Sequence, residues 1–369
     1  MHRSGAGFAY PLDVPKRAST WLLVLLLNAA LSAAIAGMAP REPAMSDRAD
    51  YEHNFDRWIT ALCPNSVFCY RILVPVLLNF VPMDAGPRWR AYQWLAHTAT
   101  GTVAAMAVAP MAAPAITSIM LQSSFGFTYT AYDPYSADPF VFLIAALTLH
   151  LWLIDRTLAM TLMAAVGVFA KETVALIATV PALAVMVSER TRRWRWWLPA
   201  IVAWPILLFF HWYMDTYAGW SVRANPSSNL LTGSWLGLWW RNNPSLIGKA
   251  MLLFAPFGFG WIFALLGYRS AAPALRQLAL GAVLPIAALV YVQAPERALG
   301  NAFFVVVPLA SVFLSRVPRP AAWAAAITNG LLTAKIGLST TLLPSSSILL
   351  IPATLSAAWA IASARRQSA

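Results

Sequence analysis

Apolar residues in this chain come in runs about as long as a bilayer is thick, divided by short connections that carry most of the charge. A helix needs about 20 apolar residues to cross the hydrocarbon layer. Runs of that kind occupy residues 20–38, 67–83, 91–110, 112–128, 139–154, 158–187, 198–217, 250–267, 278–292, 302–314, 321–335 and 345–362. Composition agrees, with 59% hydrophobic and 11% charged residues against about 25% charged in an average globular protein. No soluble core of this size absorbs so much apolar surface. The expectation is an all-α polytopic membrane protein of about 12 spans (roughly 10 to 13), built as one domain over residues 1–369. That excludes a cytosolic enzyme, a disordered chain and a disulfide-stapled secreted module. The net charge of +12 is read first through membrane topology. No basic run is interleaved with aromatics over a soluble face, so nucleic acid is not an expected partner.

Lysine and arginine orient the spans, because they concentrate in short cytoplasmic loops. The run 158–187 is long for one span and holds Lys171 and Glu172 in its middle, so it reads as one tilted helix or as two broken ones. With the N-terminus inside and this run kept as one span, the inside loops hold Arg3, Lys16, Arg17, Arg88, Arg90, Arg190, Arg192, Arg193, Arg195, Arg269, Arg276, Arg316, Arg319, Arg365 and Arg366. Splitting it would put the 190–195 arginines outside, so the single span is the preferred reading. Both termini are then cytoplasmic, and two long segments, 39–66 and 218–249, face outward. The 17 tryptophans suit a membrane belt, with Trp194, Trp196 and Trp197 beside the arginine cluster and Trp235, Trp239 and Trp240 in the second long segment. The first run also has the look of a signal peptide ending at Ala34-Ile35-Ala36, but a first span does that targeting job and is expected to be retained.

The first outer segment is acidic: Glu42, Asp47, Asp50, Glu52 and Asp56 are five of the 14 acidic residues. On a juxtamembrane helix Asp47, Asp50 and Asn54 share a face. Like charges so placed cost helix stability, and a carboxylate in a partly desolvated cleft is a usable general base; the competing reading is a plain solvated loop. Arg71 follows at the mouth of the second run, where its planar fork suits a phosphate or a carboxylate, or snorkels to the interface. Cys63 and Cys69, the two cysteines, are placed to bridge in an oxidising compartment or to remain buried thiols. Their spacing is not that of a metal site, and nothing in the sequence requires a cofactor, although a carboxylate pair is able to hold a divalent ion.

Lys171 and Glu172 point about 100° apart on a helix, so they do not simply neutralise each other. Charges inside a span face a cavity or a partner, and Lys171 is read as a phosphate or carboxylate partner. Arg297, beside Glu296 in an outer turn, is a second candidate anion ligand, against a turn salt bridge of little worth. His211 and Asp215 stand four apart and read as a structural pair. Asp133 and Asp138 read as turn punctuation before a helix with Pro139 at its start. No phosphate loop of the GxxxxGK[ST] type and no GxGxxG after a strand occurs.

With these residues in view, the chain resembles the GT-C superfamily, multispanning glycosyltransferases that use polyprenyl-phosphate-linked sugars. Members have a first span running outward, an outer loop with an essential Asp or Glu, short juxtamembrane helices, and a second large outer loop after the seventh span. Several bacterial members carry an acidic-aromatic stretch, a proline and a YR-x-L-x-P signature, which here read Asp50-Tyr51, Pro64 and Tyr70-Arg71-Ile72-Leu73-Val74-Pro75. The triplet Lys171-Glu172-Thr173 is similar to their KET or RET element. Many members also carry a soluble domain after the last span, whereas this sequence ends shortly after Arg366.

The resemblance implies an inverting transferase in a bacterial inner membrane. It implies Asp50, then Asp47, as catalytic base, and substrate binding by Tyr70, Arg71, Lys171, Glu172, Arg297, Tyr51 and Asp56. The implied partners are a polyprenyl-phosphate-linked sugar, a glycan or lipid acceptor, and membrane lipid. The alternative is a multispanning transporter or lipid-linked-sugar flippase. Transporters show related halves and a midplane site, but here the charged features collect at the outer face. A non-catalytic scaffold is a third reading.

Overall fold

The computed structural model describes residues 18–38, 70–188, 194–217, 245–286, 295–336, 340–341 and 346–368. These residues form an all-helical bundle: α1 (Ala18–Met38), α2 (Leu73–Asn79), α3 (Ala85–Val108), α4 (Pro114–Gln122), α5 (Phe125–Tyr132), α6 (Asp138–Leu153), α7 (Thr157–Gly167) and α8 (Thr173–Val187). A short 3-10 turn, Trp194–Trp197, leads into α9 (Leu198–Tyr217). Then come α10 (Leu246–Phe254), α11 (Gly260–Tyr268), α12 (Pro273–Gly281), α13 (Val283–Ile286), α14 (Pro295–Gly300), α15 (Phe303–Leu314), α16 (Arg319–Thr333) and α17 (Ser346–Ser368). A two-residue antiparallel bridge pairs Lys335–Ile336 with Thr340–Thr341.

The bundle is apolar outside and partly polar inside. Leu22, Leu23, Leu26, Ile201, Leu208, Phe209, Ile351 and Leu355 are exposed, while Asn28, Gln93, His97, Gln122 and Asn329 are buried. A water-soluble fold does the reverse, and so large an apolar exterior marks a membrane surface. Three helices, Ala18–Met38, Trp194–Tyr217 and Ile348–Gln367, are long and apolar enough to cross a membrane. Four more, Asp138–Leu153, Thr157–Gly167, Thr173–Val187 and Phe303–Leu314, are apolar but shorter.

The interior is held by polar contacts and small residues, as helix packing in lipid requires. The Asn28 amide donates to Ser118 Oγ at 2.9 Å, and Gln122 donates to Asn28 Oδ1 at 3.1 Å and to the His97 carbonyl at 2.9 Å. Gly101 makes this junction possible, since a Cβ there would run into Asn28 and Gln122. Gly267 likewise lets α11 lie on the backbone of Leu309 in α15. Two α3 threonines bond back to their own helix: Thr100 donates to the Ala96 carbonyl at 2.6 Å and Thr102 to the Thr98 carbonyl at 2.8 Å. Each hydroxyl so bonded is satisfied within its own helix in an apolar surround.

Two long runs fold differently from expectation. Residues 158–187 are two helices, α7 and α8, with a turn at 168–172. Successive N–H groups of Val168, Phe169 and Ala170 tighten onto Ala164, Val166 and Gly167, and the Phe169 carbonyl accepts from Leu73 N–H at 3.0 Å. Gly167 sits where a Cβ would clash with Ile144 and Val174. Run 67–83 holds, among its described residues, only the seven-residue α2, about 10 Å of helix and far short of a bilayer.

Contacts define two ends of the bundle. At one, the Trp89 and Tyr135 rings meet at 5.5 Å and Phe140 N–H donates to Tyr92 Oη at 3.1 Å. At the other, Arg195 pairs with Asp155, Ala113 N–H donates to Ser315 Oγ at 2.8 Å and Arg316 donates to the Ser270 carbonyl at 2.9 Å. Arg88 and Arg90 flank Trp89 in the first turns of α3. They therefore stand at the first end and not with the 190–195 cluster, as the charge pattern had grouped them.

Candidate functional site

That first end gathers charges from segments far apart in sequence. The turn before α8 presents Lys171 and Glu172 in opposite directions. Lys171 pairs with Asp138 Oδ1, and Arg297 from α14 takes Asp138 Oδ2 at 2.8 Å. Glu172 receives Arg71 through two N–H groups, at 2.8 and 3.3 Å. The expectation that Lys171 and Glu172 would not neutralise each other holds: each has its own partner. Within this network Asp138 answers Lys171 and Arg297, and Glu172 answers Arg71.

The local sequence explains each placement. Asp138 is the first residue of α6 with Pro139 next, a start that the fixed φ of proline favours, so the carboxylate is delivered at the helix mouth and buried. Arg297 lies over the Tyr129 ring, its guanidinium carbon 4.6 Å from the centroid, and donates to the phenol oxygen at 3.4 Å. A planar cation stacked on an aromatic face is held in orientation as well as position. Tyr129 is held in turn because its neighbour Thr130 meets the buried His97 ring at 2.9 Å.

Beside this network, Tyr70 closes against α9. Its phenol donates to Asp215 Oδ1, and its ring stacks on His211 with centroids 4.1 Å apart. Burial first, and then the bond to and the charge of Asp215, push the phenol up from its ordinary value of 10.0, so it stays a donor. The pair His211 and Asp215, read from sequence as one structural unit on a helix face, instead serves a third residue.

Of the residues expected to form a site, Tyr70, Arg71, Lys171, Glu172 and Arg297 therefore converge. Asp47, Asp50, Tyr51 and Asp56 lie outside the described residues, as do Cys63 and Cys69. Sequence reasoning missed Asp138, which it took for turn punctuation; the signal was a carboxylate opening an apolar run, a position that is costly without a partner. It missed Tyr129 too, for which only the aromatic density of 125–132 offered a sign. Among the described residues no group of three or more His, Cys, Asp or Glu is placed to hold a metal ion.

The arrangement resembles what an anionic group needs: three cations, two of them arginines with fixed forks, partly desolvated and already oriented. In comparisons with known proteins, no family model matches the chain, and neither a curated protein nor a solved structure matches it significantly.

Proposed function

We propose that the protein is an integral-membrane glycosyltransferase that moves a sugar from a polyprenyl-phosphate donor to a glycan or lipid acceptor on the outer face of a bacterial inner membrane. One observation carries the reading. Arg71, Lys171 and Arg297, scattered over more than two hundred residues of sequence, meet at one end of an apolar bundle. In the chain the acidic segment 39–66 lies between α1 and Tyr70-Arg71.

The charge distribution supports the orientation. Among the described residues, Arg156, Arg195, Arg269, Arg276, Arg316, Arg319, Arg365 and Arg366 belong to the far end, against Arg71, Arg88, Arg90 and Arg297 at the site end, and Lys and Arg are what set orientation. The far end is then cytoplasmic, with both chain termini, and the site faces outward. About twelve crossings remain, but they are partitioned anew: the run 67–83 is no crossing, and α7 and α8 are two. The two changes cancel in parity, so the arginines at 190–195 stay inside.

In the reaction the acceptor oxygen attacks the anomeric carbon, and the bond from that carbon to the phosphate oxygen breaks with inversion. The electron pair leaves on the phosphate, where Arg71, Lys171 and Arg297 stabilise the developing charge. The acceptor proton passes to a carboxylate of the acidic segment, Asp50 first and Asp47 next. The chemistry as written needs no cofactor.

The test is complementation of a deletion strain with glycan profiling, comparing wild type, Asp50→Ala, Asp47→Ala and Lys171→Ala at matched membrane abundance. One sugar should vanish in the deletion and stay absent with Lys171→Ala and with one of the aspartate variants. Full restoration by all three variants would defeat the reading and favour a transporter or scaffold.

A further inference from the structure

We infer that Tyr70, His211 and Asp215 form a clasp that positions Arg71 for an anionic lipid headgroup, so that Tyr70 is a positioning residue and not a substrate ligand; this rests on the reading of the site as a polyprenyl-phosphate seat. Tyr70 and Arg71 are consecutive but turn opposite ways. Tyr70 is buried against α9, with its hydroxyl on Asp215 and its ring flat on His211, and Phe210 meets it edge-on at 6.4 Å. Arg71 reaches to Glu172, and two residues on, the backbone is tied by Leu73 N–H to the Phe169 carbonyl. The dipeptide is therefore pinned on both sides, to α9 and to the turn before α8.

The clasp matters because it anchors the segment on its α9 side. Its hydroxyl is engaged by Asp215, so the phenol is occupied by the protein itself. His211 and Asp215 lie four apart on one face of α9, one giving a stacking surface and the other a charged acceptor. Asp215 stands two residues before the end of α9, where the segment 218–244 begins. The clasp thus ties the chain just before Arg71 to the last turns of α9 and fixes the arginine beside it. A charge-assisted bond and a stacked ring hold the arginine fork where a phosphate can displace Glu172 without reordering the chain. Pre-ordering of that kind lowers the cost of binding.

Limited trypsinolysis of the full-length protein in detergent tests this, because trypsin cleaves after Arg71 only when its side chain is free and the backbone opens. Cleavage in such a regime follows the population of the open form. Tyr70→Phe keeps the ring and loses the bond; Asp215→Asn loses the charge. Each should speed cleavage after Arg71 about 5-fold, and the double variant should be no faster than the singles, since they break one interaction. Undecaprenyl phosphate in mixed micelles should slow cleavage in wild type, phosphatidylglycerol should not, and the midpoint of protection should rise about 5-fold in either variant. Cleavage after Arg156, at the far end, serves as the internal control for global unfolding.

Unchanged cleavage and unchanged midpoints in both variants would overturn the clasp. So would faster cleavage with an unmoved midpoint, since the clasp would then order the chain without positioning Arg71. Protection by undecaprenyl phosphate in wild type, together with an unaltered glycan profile in the deletion strain, would instead sink the transferase reading and leave the clasp standing as part of a lipid-phosphate seat.

Discussion

The two ends of the bundle each hold an arginine on an aspartate, yet the pairs are different objects. At the far end Arg195 meets Asp155 at 2.7 and 2.6 Å, with side chains 41% and 43% exposed. At the site end Asp138 is 10% exposed and holds Lys171, 11% exposed, on one oxygen and Arg297 on the other. The far pair bridges neighbouring turns that helix packing already brings together. The site network collects three segments that nothing in their sequences brings together, and it takes charge out of water to do so. An exposed pair costs little to keep and contributes little; a buried one is kept only with well-placed partners, and such clusters concentrate at functional sites. Geometry alone would rank the far pair the better salt bridge. Burial and convergence reverse the order.

The largest test of that contrast is the removal of Asp138. Asp138→Ala leaves Lys171 and Arg297 facing each other without their carboxylate, and loss of one partner from a buried pair costs about 3–5 kcal/mol. A marked fall in thermal midpoint in detergent should follow, with Asp155→Ala shifting it by no more than about 0.5 kcal/mol. Equal small shifts would show that the site network is solvated and that the two ends do not differ.

Next in size is Arg297→Lys, which keeps the charge and discards the plane that lies over Tyr129. The prediction is roughly a tenfold loss in transfer rate, about 1.4 kcal/mol, with normal membrane abundance. Arg195→Lys should leave the rate unchanged. If Arg297→Lys retains full activity, the seat reads charge alone and the stacking on Tyr129 is packing.

How much of this was legible in the sequence depends on the kind of signal. All-helical character and membrane association follow from run length and from the shortage of charge, which are local properties. Lys171 and Glu172 were legible as charges inside an apolar run, Arg71 as a cation at the mouth of one, Arg297 as a candidate anion ligand in an outer turn, and Tyr70 through the YR-x-L-x-P signature. Their partners were harder to see. Asp138 opens a helix, where a carboxylate has an ordinary reason to be, and Asp215 had His211 one turn away as a ready local explanation, so neither pointed to its distant partner. The break at 168–172 was legible as two short helices but disfavoured because, with 67–83 counted as a crossing, the split would have put the 190–195 arginines outside. Gly167, where a Cβ would meet Ile144 and Val174, was not singled out, and the Lys171-Glu172 pair, a mark of the turn, was read as a mark of a site. The pair is both, since the turn is what carries the charges to Asp138 and Arg71.

The smallest predicted effect separates ion pair from backbone at the far end. Asp155 has φ +61°, the left-handed region that glycine enters freely and other residues enter at a cost. It ends α6 in a Schellman arrangement, with Arg156 N–H donating to the Leu151 carbonyl at 2.8 Å and Asp155 N–H to the Trp152 carbonyl at 3.3 Å. Asp155→Gly removes the salt bridge and relieves the backbone together. If the pair is worth as little as its exposure says, relief wins, and the variant should be about 0.5 kcal/mol more stable than wild type. Asp155→Val, which loses the same pair and forces a branched side chain into the same φ, should be less stable by about 1–2 kcal/mol. Thermal midpoints in detergent measure both. A destabilised glycine variant would mean that the exposed pair holds the far end after all, and burial would lose its place as the criterion that tells the two ends apart.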